Sequence, residues 1–526
     1  MPYKTNIYSY YKIVTEQSEN TKRIAKNTLM LYVRMLFGML VALYTSRVVL
    51  NTLGVEDYGI YNVVGGFVGM FSLISSSLSS AVSRFLTVEL GRNDFERLKM
   101  VFSTSLLIHI ILALLVFIAT ETVGLWFLNT QMTIPSERLY AANWGFQASL
   151  LSFTLGLVST PFRASIVSHE HFGTFAKVGI LEVILRLLVV LLIAYSSLHL
   201  DRLIMYSILL VFVGISLQCF YLYYCHKHFK ECRLHLSFDR SCWKEIGAFS
   251  VWNAIGCSAA ILKGQGVNVL LNLFVGPVLN AARGIADQVN GAICAFSGNF
   301  MTALNPQITK SYASDNKEYA FSLVERGSRF SFYILFLGAL PILLETDFFL
   351  TLWLKQYPDH TINFVRLVLL LSLIDIFSNT LITLQNANGK IRNYQIVVGG
   401  MLLMNFPLSY CCLKAGFPPE STLVVAMFVA VCCLLLRLLF LRKTVNLSIP
   451  RYIRNVCFNT FVVAMASSFI PVLLCWQMES GWLRFIIVSC VSILCTVFSV
   501  YFIGCTLSER VFVRKALCAM KAKLIQ

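Results

Sequence analysis

Apolar runs long enough to cross a bilayer recur along the whole chain, and they limit its fold more than any other feature. A transmembrane helix needs a largely apolar run of about 18 to 25 residues. Hydrocarbon offers the backbone no hydrogen-bond partner, so each run is predicted to be a helix. The fourteen runs cover residues 27–50, 58–83, 101–128, 139–162, 174–196, 203–225, 247–274, 280–305, 331–352, 363–385, 393–413, 420–441, 455–476 and 483–505. The sequence therefore predicts an all-α, polytopic membrane protein with 14 transmembrane helices.

The composition excludes an ordinary soluble domain. Hydrophobic residues make up 57% of the 526 residues, charged residues make up 13%, and the mean hydropathy is +0.71. A soluble protein of this size needs more charged surface.

Lysine and arginine are concentrated in every second connection between the runs. With the N-terminus in the cytoplasm, cytoplasmic segments hold 31 of the 43 Lys and Arg residues, and the outer loops hold five. The positive-inside rule then predicts that both termini are cytoplasmic. The net charge of +17 follows from this topology, with the anionic inner leaflet as its partner and no role in nucleic-acid binding. The polar, basic first 26 residues predict no cleavable signal.

The sequence lacks the motifs of an enzyme. It has no Walker A motif, and the longest outer loop, about residues 345–361, is too short for a catalytic domain. We therefore expect a transporter without an ATPase or glycosyltransferase activity, and we expect no cofactor and no metal. The sixteen cysteines include no CxxC pair, so no disulfide is expected. We interpret His169-Glu170-His171 as a cytoplasmic turn.

The chain resembles itself at an offset of about 220 residues. Gly91-Arg92-Asn93-Asp94 corresponds to Ser314-Asp315-Asn316, and Ser159-Thr160 to Ser378-Asn379. The offset predicts two six-helix lobes plus two C-terminal helices, and such repeats leave a cavity between them. The predicted boundaries are a cytoplasmic tail (1–26), an N-lobe (27–225), a cytoplasmic linker (226–246), a C-lobe (247–441), spans 13 and 14 (442–505) and a basic cytoplasmic tail (506–526).

Basic residues inside the runs outnumber acidic ones. Seven Lys and Arg residues lie deep within the runs, and only four acidic residues lie at comparable depth. The basic residues are Arg34, Arg47, Arg186, Lys263, Arg283, Arg366 and Arg437, and the acids are Glu121, Glu182, Asp287 and Asp375. Because intramembrane charges are costly, the excess predicts an anionic ligand.

Lys263 is the strongest single candidate for a cavity-facing site. It lies near the middle of run 7, where a lysine costs about 2.5 to 3.5 kcal/mol; the alternative is a pair with a carboxylate of a neighbouring span. Arg34 lies about 10 Å into the membrane, and its alternative is snorkelling to the headgroups. We expect both to share a cavity with Arg283, and with Asn253 and Gln265 as weaker neighbours that bond sugar hydroxyls.

Two pairs of oppositely charged residues have i, i+4 spacing. Arg283 and Asp287 line a cavity in one interpretation and neutralise each other in the alternative, whereas Glu182 and Arg186 are predicted to form a self-neutralised pair.

Asp375 has no basic residue one turn away. It shares an oxygen-rich face of run 10 with Asn379, which makes the two residues candidates for Na⁺ or H⁺ coupling. Arg437, near a span end, is expected to tolerate alanine.

The N-terminal part of the sequence resembles a known family. Asn27-Thr28-Leu29 with Arg34, then Ser46-Arg47, Asp57-Tyr58-Gly59-Ile60-Tyr61-Asn62 and Arg84-Phe85-Leu86, are similar to the N-terminal signature of Wzx-type polysaccharide flippases. These flippases belong to the multidrug/oligosaccharidyl-lipid/polysaccharide exporter superfamily. The match is specific over about residues 20–100 and architectural beyond them.

The resemblance implies transport of an undecaprenyl-diphosphate-linked oligosaccharide, such as an O-antigen unit of lipopolysaccharide, across a bacterial inner membrane. It implies that arginines hold the diphosphate, which points to Arg34, Arg47 and Arg283, and that spans 13 and 14 form a groove for the lipid tail. Membrane lipids and the polysaccharide polymerase machinery are the expected partners. The alternative is a cation-coupled drug or metabolite exporter of the same superfamily, which should have an acidic cavity.

Overall fold

A computed structural model forms two compact units. One unit is Met1–Cys257 with Thr309–Asp315, and the other is Ser258–Ile308 with Asn316–Gln526. The structure describes residues 23–42, 44–45, 48–49, 52–53, 57, 60, 72–130, 135–195, 201–233, 239–274, 277–511 and 514. Within them, the description omits the side chains of residues 72–74, 260–262, 265, 269, 272–273, 277–278 and 280–281.

The first unit is built from long helices. They are α1 (Arg23–Ala42), α2 (Ser72–Arg92), α3 (Phe95–Ala119), α4 (Leu125–Thr130), α5 (Leu139–Ser168), α6 (Phe172–Tyr195) and α7 (Arg202–His228). A single π-helical turn, Thr120–Gly124, joins α3 to α4.

Two further helices have residues in both units. They are α8 (Arg240–Phe274) and α9 (Pro277–Ala313). The second unit continues with α10 (Lys317–Leu344), α11 (Thr346–Leu354), α12 (Thr361–Asn388), α13 (Arg392–Leu403), α14 (Asn405–Lys414), α15 (Ser421–Val445), α16 (Ile449–Tyr452), α17 (Asn459–Gln477) and α18 (Trp482–Ser499). All regular structure in the described residues is helical, which confirms the predicted all-α class.

The helices are long and apolar enough for a multi-pass membrane protein. Over the described residues, eleven helical segments meet the length and hydropathy needed for a span. The other three predicted spans correspond to α2, α8 and α9, which have 21, 35 and 37 residues and are not among these eleven. The count of fourteen therefore stays a prediction.

Several helices extend beyond the apolar runs that predicted them. The fourth run ends at residue 162, yet α5 continues through Pro161 to Ser168. The seventh run begins at residue 247, whereas α8 begins at Arg240. Apolar content marks only the part of a helix that lies in hydrocarbon, so the polar ends were missed.

Two turns 222 residues apart share one geometry. Asn93 (φ 58°) precedes Asp94, whose side chain accepts a hydrogen bond from the Arg97 amide at the start of α3. Asp315 (φ 60°) likewise precedes Asn316, whose side chain caps α10. Asp and Asn tolerate the left-handed conformation and are favoured N-caps. The two turns lie at positions that the sequence offset of about 220 residues pairs, and the division into two six-helix lobes stays a prediction.

α6 packs beside α1 in the same direction. Methionine 30 of α1 faces Gly173, and further along Gly38 faces Val183 of α6, at 3.8 Å from a Cβ built on the glycine. α1 and α6 correspond to the first and fifth predicted spans. Two odd-numbered spans of a polytopic chain should run in the same direction, as these two helices do.

The C-terminal helices are fixed to α10 by ion pairs. They join Arg329 to Glu509 (2.8 Å), Arg451 to Glu325 (2.8 Å) and Arg484 to Glu345 (2.7 Å). In each pair the acidic side chain is at most 9% exposed. These pairs hold the last two spans against the second unit.

Candidate functional site

Arg34 is seated against α6 in the first unit. Its guanidinium carbon lies 4.7 Å from the centroid of the Phe175 ring, and a Cβ at Gly179 would lie 2.0 Å from Arg34 Nε. The arginine therefore occupies the space that any larger residue at position 179 would fill. Among the residues that the structure describes, Arg34 has no carboxylate within salt-bridge distance.

Three of the predicted site residues are less informative. Arg47 lies outside the described residues, and Gln265 is described only as part of the α8 backbone. Asn253 is buried, and its amide lies 3.3 Å from both the backbone oxygen and the hydroxyl of Ser77. The Asn253 amide donor is thus engaged inside the first unit.

Lys263 and Asp375 form an ion pair in the second unit, which is the alternative stated for Lys263 in the sequence analysis. Lys263 Nζ lies 3.1 Å from Asp375 Oδ2; the lysine side chain is 11% exposed and the aspartate side chain 43%. The Asn405 amide also donates to the Lys263 backbone oxygen at 3.0 Å. Asp375 is consequently a paired acid that still presents an open side.

Arg283 is buried and only weakly paired. Its side chain is 10% exposed, and its Nε lies 3.4 Å from Asp287, which is 47% exposed. One terminal nitrogen of Arg283 is buried without a hydrogen-bond partner in the described structure. Because a buried guanidinium donor without an acceptor is costly, this nitrogen is suited to bind an acceptor from a ligand.

Arg437 departs from the expectation drawn from its sequence position. It is 6% exposed, and it donates to the Tyr394 hydroxyl at 3.0 Å and to the Ser378 hydroxyl at 2.8 Å. Removing it would leave two buried hydroxyls short of a donor, so the structure gives no reason to expect tolerance of alanine. Asn379, one residue beyond Ser378, is exposed.

Glu182 and Arg186 form the predicted pair at 2.8 Å. Sequence reasoning missed Arg163, which it assigned to a cytoplasmic connection because the apolar run ends at residue 162. Helical spacing from Ser149 through Ser152 and Ser159 to Arg163 is the signal that could have placed it on one face of α5.

With this geometry established, the chain can be compared with known proteins. Residues 24–312 match the family described as polysaccharide biosynthesis protein. The chain belongs to this family. A relative from Bacillus subtilis (strain 168), described as the uncharacterized membrane protein EpsK, is 22% identical over 320 residues, or 61% of this chain. The chain spans 63% of that relative's length.

Solved structures identify the fold. A MATE protein in the straight conformation aligns with 81% of this chain and 97% of its own, with a TM-score of 0.69 and 14% identity. The MATE transporter ClbM in complex with Rb⁺ aligns with 82% of this chain and 96% of its own, with a TM-score of 0.67 and 13% identity. A MOP superfamily transporter from Pyrococcus furiosus, described as having a binding pocket of reverse polarity, aligns with 80% of this chain and 95% of its own, with a TM-score of 0.65 and 14% identity.

The family connects the chain with polysaccharide biosynthesis, and the solved structures show that it has the fold of MATE proteins, with many helices long and apolar enough to span a membrane.

Proposed function

We propose that this protein flips an undecaprenyl-diphosphate-linked oligosaccharide from the cytoplasmic to the periplasmic leaflet of a bacterial inner membrane. Both termini would lie in the cytoplasm, and the saccharide would be a unit of a surface polysaccharide such as O-antigen. Transport would proceed by alternating access, with the charged head in a basic cavity and the lipid tail left in the bilayer. Such a cavity lowers the barrier that about 30 Å of hydrocarbon presents to the head.

The observation that carries this proposal is that two guanidinium groups within the helices keep the capacity to bind an acceptor. Arg34 has no carboxylate partner in the described structure, and Arg283 keeps a buried nitrogen without an acceptor. A diphosphate supplies acceptors that guanidinium groups bind in a bidentate manner. A cationic substrate would instead be repelled by these groups.

We propose that other predicted residues also contact the substrate. The substrate-binding residues would be Arg34 and Arg47 in the first unit and Lys263, Gln265, Arg283 and Asp287 in the second. Asn253 is set aside, because its amide is bonded to Ser77. The Lys263 and Asp375 pair supports a role for Asp375 and Asn379 in coupling, because a proton or Na⁺ that binds the open side of Asp375 would weaken its hold on Lys263.

We also propose how partners meet this site. Membrane lipids would surround the substrate tail, with spans 13 and 14 beside it. The polysaccharide polymerase machinery would receive the flipped unit at the outer leaflet.

Reconstituted flipping tests the proposal. Purified protein in liposomes should move a fluorescent polyprenyl-diphosphate sugar between leaflets. Arg34→Ala and Arg283→Ala should each slow flipping on the order of 10- to 100-fold, because a charge-assisted hydrogen bond contributes about 1.5–3 kcal/mol. Arg→Lys should restore only part of the rate, since lysine lacks the bidentate fork.

Arg240→Ala is the matched control, because Arg240 is an exposed arginine in the first unit. Normal flipping by both Arg34→Ala and Arg283→Ala would contradict the anion-binding mechanism. Transport of an organic cation in place of the diphosphate sugar would favour the cation-coupled exporter, which the MATE fold fits equally well.

A further inference from the structure

A polar cavity lies inside the first unit, among α5, α6 and α7. Its volume is about 390 Å³, within the range of about 300–1,000 Å³ that is usual for small-molecule sites. The charged and hydrogen-bonding side chains in its wall include Arg163, Glu182, Arg186, Gln218 and Tyr221. Ionisable groups within membrane-spanning bundles are rare and mark ligand pathways, so a cavity lined by three of them is a candidate binding site.

One face of α5 supplies a row of polar groups to the cavity. Ser149, Ser152, Ser159 and Arg163 follow at helical spacing, and all four line the wall. The hydroxyls of Ser159 and Ser207 donate to backbone oxygens of their own helices, each at 2.8 Å. Within the described structure, the hydroxyls of Ser149 and Ser152 have no such bond. They remain able to bond a hydroxylated ligand.

The charges of the cavity sum to a positive value. Glu182 is already bound to Arg186 at 2.8 Å, so these two residues offset each other. Arg163 is exposed and has no salt-bridge partner in the part of the chain that is described. Arg34 adds to the positive charge nearby, because it packs against Gly179, three residues before Glu182 on α6. The cavity therefore favours an anion over a cation.

We infer that this cavity is a subsite for the phosphoryl-bearing, hydroxylated head of the transported lipid. Arg163 binds the phosphoryl oxygens, Arg186 provides a second guanidinium, and the serine hydroxyls with Gln218 bond the adjoining sugar. The assignment rests on the proposed function and adds to it a site inside one unit. Two sources share this chemistry: the diphosphate-linked saccharide and the headgroup of an anionic glycerophospholipid.

Two substitutions with opposite expected effects on ligand affinity test the assignment. Arg163→Ala should weaken binding of a short-chain isoprenyl-diphosphate sugar to the detergent-solubilised protein by about 10-fold or more, the value of one charge-assisted bond. Glu182→Gln should strengthen it several-fold, because Arg186 is released and the net charge rises. Arg240→Ala should leave the dissociation constant unchanged, and thermal unfolding of each variant checks that it is folded.

The outcomes separate the site from the proposed function. Unchanged binding by Arg163→Ala, or weaker binding by Glu182→Gln, overturns the subsite even if the wild-type protein flips the lipid in liposomes. The expected pair of shifts supports the subsite even if the wild-type protein flips nothing. If phosphatidylglycerol displaces the probe at equal concentration, the site binds phosphoryl headgroups but the membrane lipid is its ligand; failure of phosphatidylglycerol to compete assigns it to the saccharide lipid.

Discussion

Gly179→Ala should displace the Arg34 side chain without replacing Arg34 itself. A Cβ at position 179 would lie 2.0 Å from Arg34 Nε, 2.6 Å from its Cδ and 2.7 Å from its Cζ, whereas ordinary contact begins at 3.4 Å. The arginine must therefore move its Nε by at least 1.4 Å, the difference between 3.4 and 2.0 Å, and leave the Phe175 ring. The lost cation–π contact is about 0.5–2 kcal/mol. Overpacking adds about 1–3 kcal/mol if Arg34 cannot move freely.

These magnitudes predict a loss of about 2- to 30-fold in the flipping rate of the diphosphate sugar, since about 1.4 kcal/mol corresponds to a factor of ten. Helix propensity acts in the opposite direction, because alanine is about 0.8–1.0 kcal/mol better than glycine in a helix interior. A slower rate with an unchanged or higher unfolding temperature would thus identify displacement of Arg34 as the cause.

Gly38→Ala is the matched control for this experiment. Position 38 lies one turn beyond Arg34 in the same contact between α1 and α6, and a Cβ there would lie 3.8 Å from the nearest atom of Val183. It should flip the lipid at the wild-type rate. The reasoning is refuted if Gly179→Ala also flips normally, or if Gly38→Ala is equally slow.

Four further variants test packing and charge. Removing one partner of a fully buried ion pair costs about 3–5 kcal/mol. Asp375→Asn should destabilise the protein by less than this, because the Asp375 side chain is 43% exposed. Exchanging Lys263 and Asp375 should recover part of the unfolding temperature; no recovery would argue against the pair. Gly91→Ala should cost about 1–3 kcal/mol, because its Cβ would lie 2.8 Å from the Lys310 backbone oxygen; an unchanged unfolding temperature would contradict this. Arg437→Ala should reduce the amount of folded protein in membranes by removing two hydrogen bonds, each about 1.5–3 kcal/mol, and normal levels on a blot would restore the milder expectation.

The sequence predicts the helices because each one satisfies its own backbone within hydrocarbon. It also predicts the pair of Glu182 and Arg186, since residues four apart meet on any helix. The pair of Lys263 and Asp375 joins residues 112 positions apart, and no local pattern encodes such a contact. Arg163 was missed for a different reason, because the end of an apolar run does not mark the end of a helix.

Asn253 shows a related limit for polar residues. From the sequence its amide was free to bond a sugar, whereas the structure gives the amide an acceptor on Ser77, 176 residues away. A polar side chain in a span can serve helix packing or a ligand, and only the position of the neighbouring helices decides between them.

The ion pairs that hold the last two spans to α10 have a consequence for biogenesis. Arg329 is made 180 residues before Glu509, so at about 5–20 residues per second its guanidinium waits about 9–36 s for that carboxylate. Glu345 waits for Arg484, 139 residues further on. Until then, headgroups or the insertion machinery must shield these charges. A chain interrupted before its final spans would expose them, which gives the cell a means to recognise and degrade an unfinished copy.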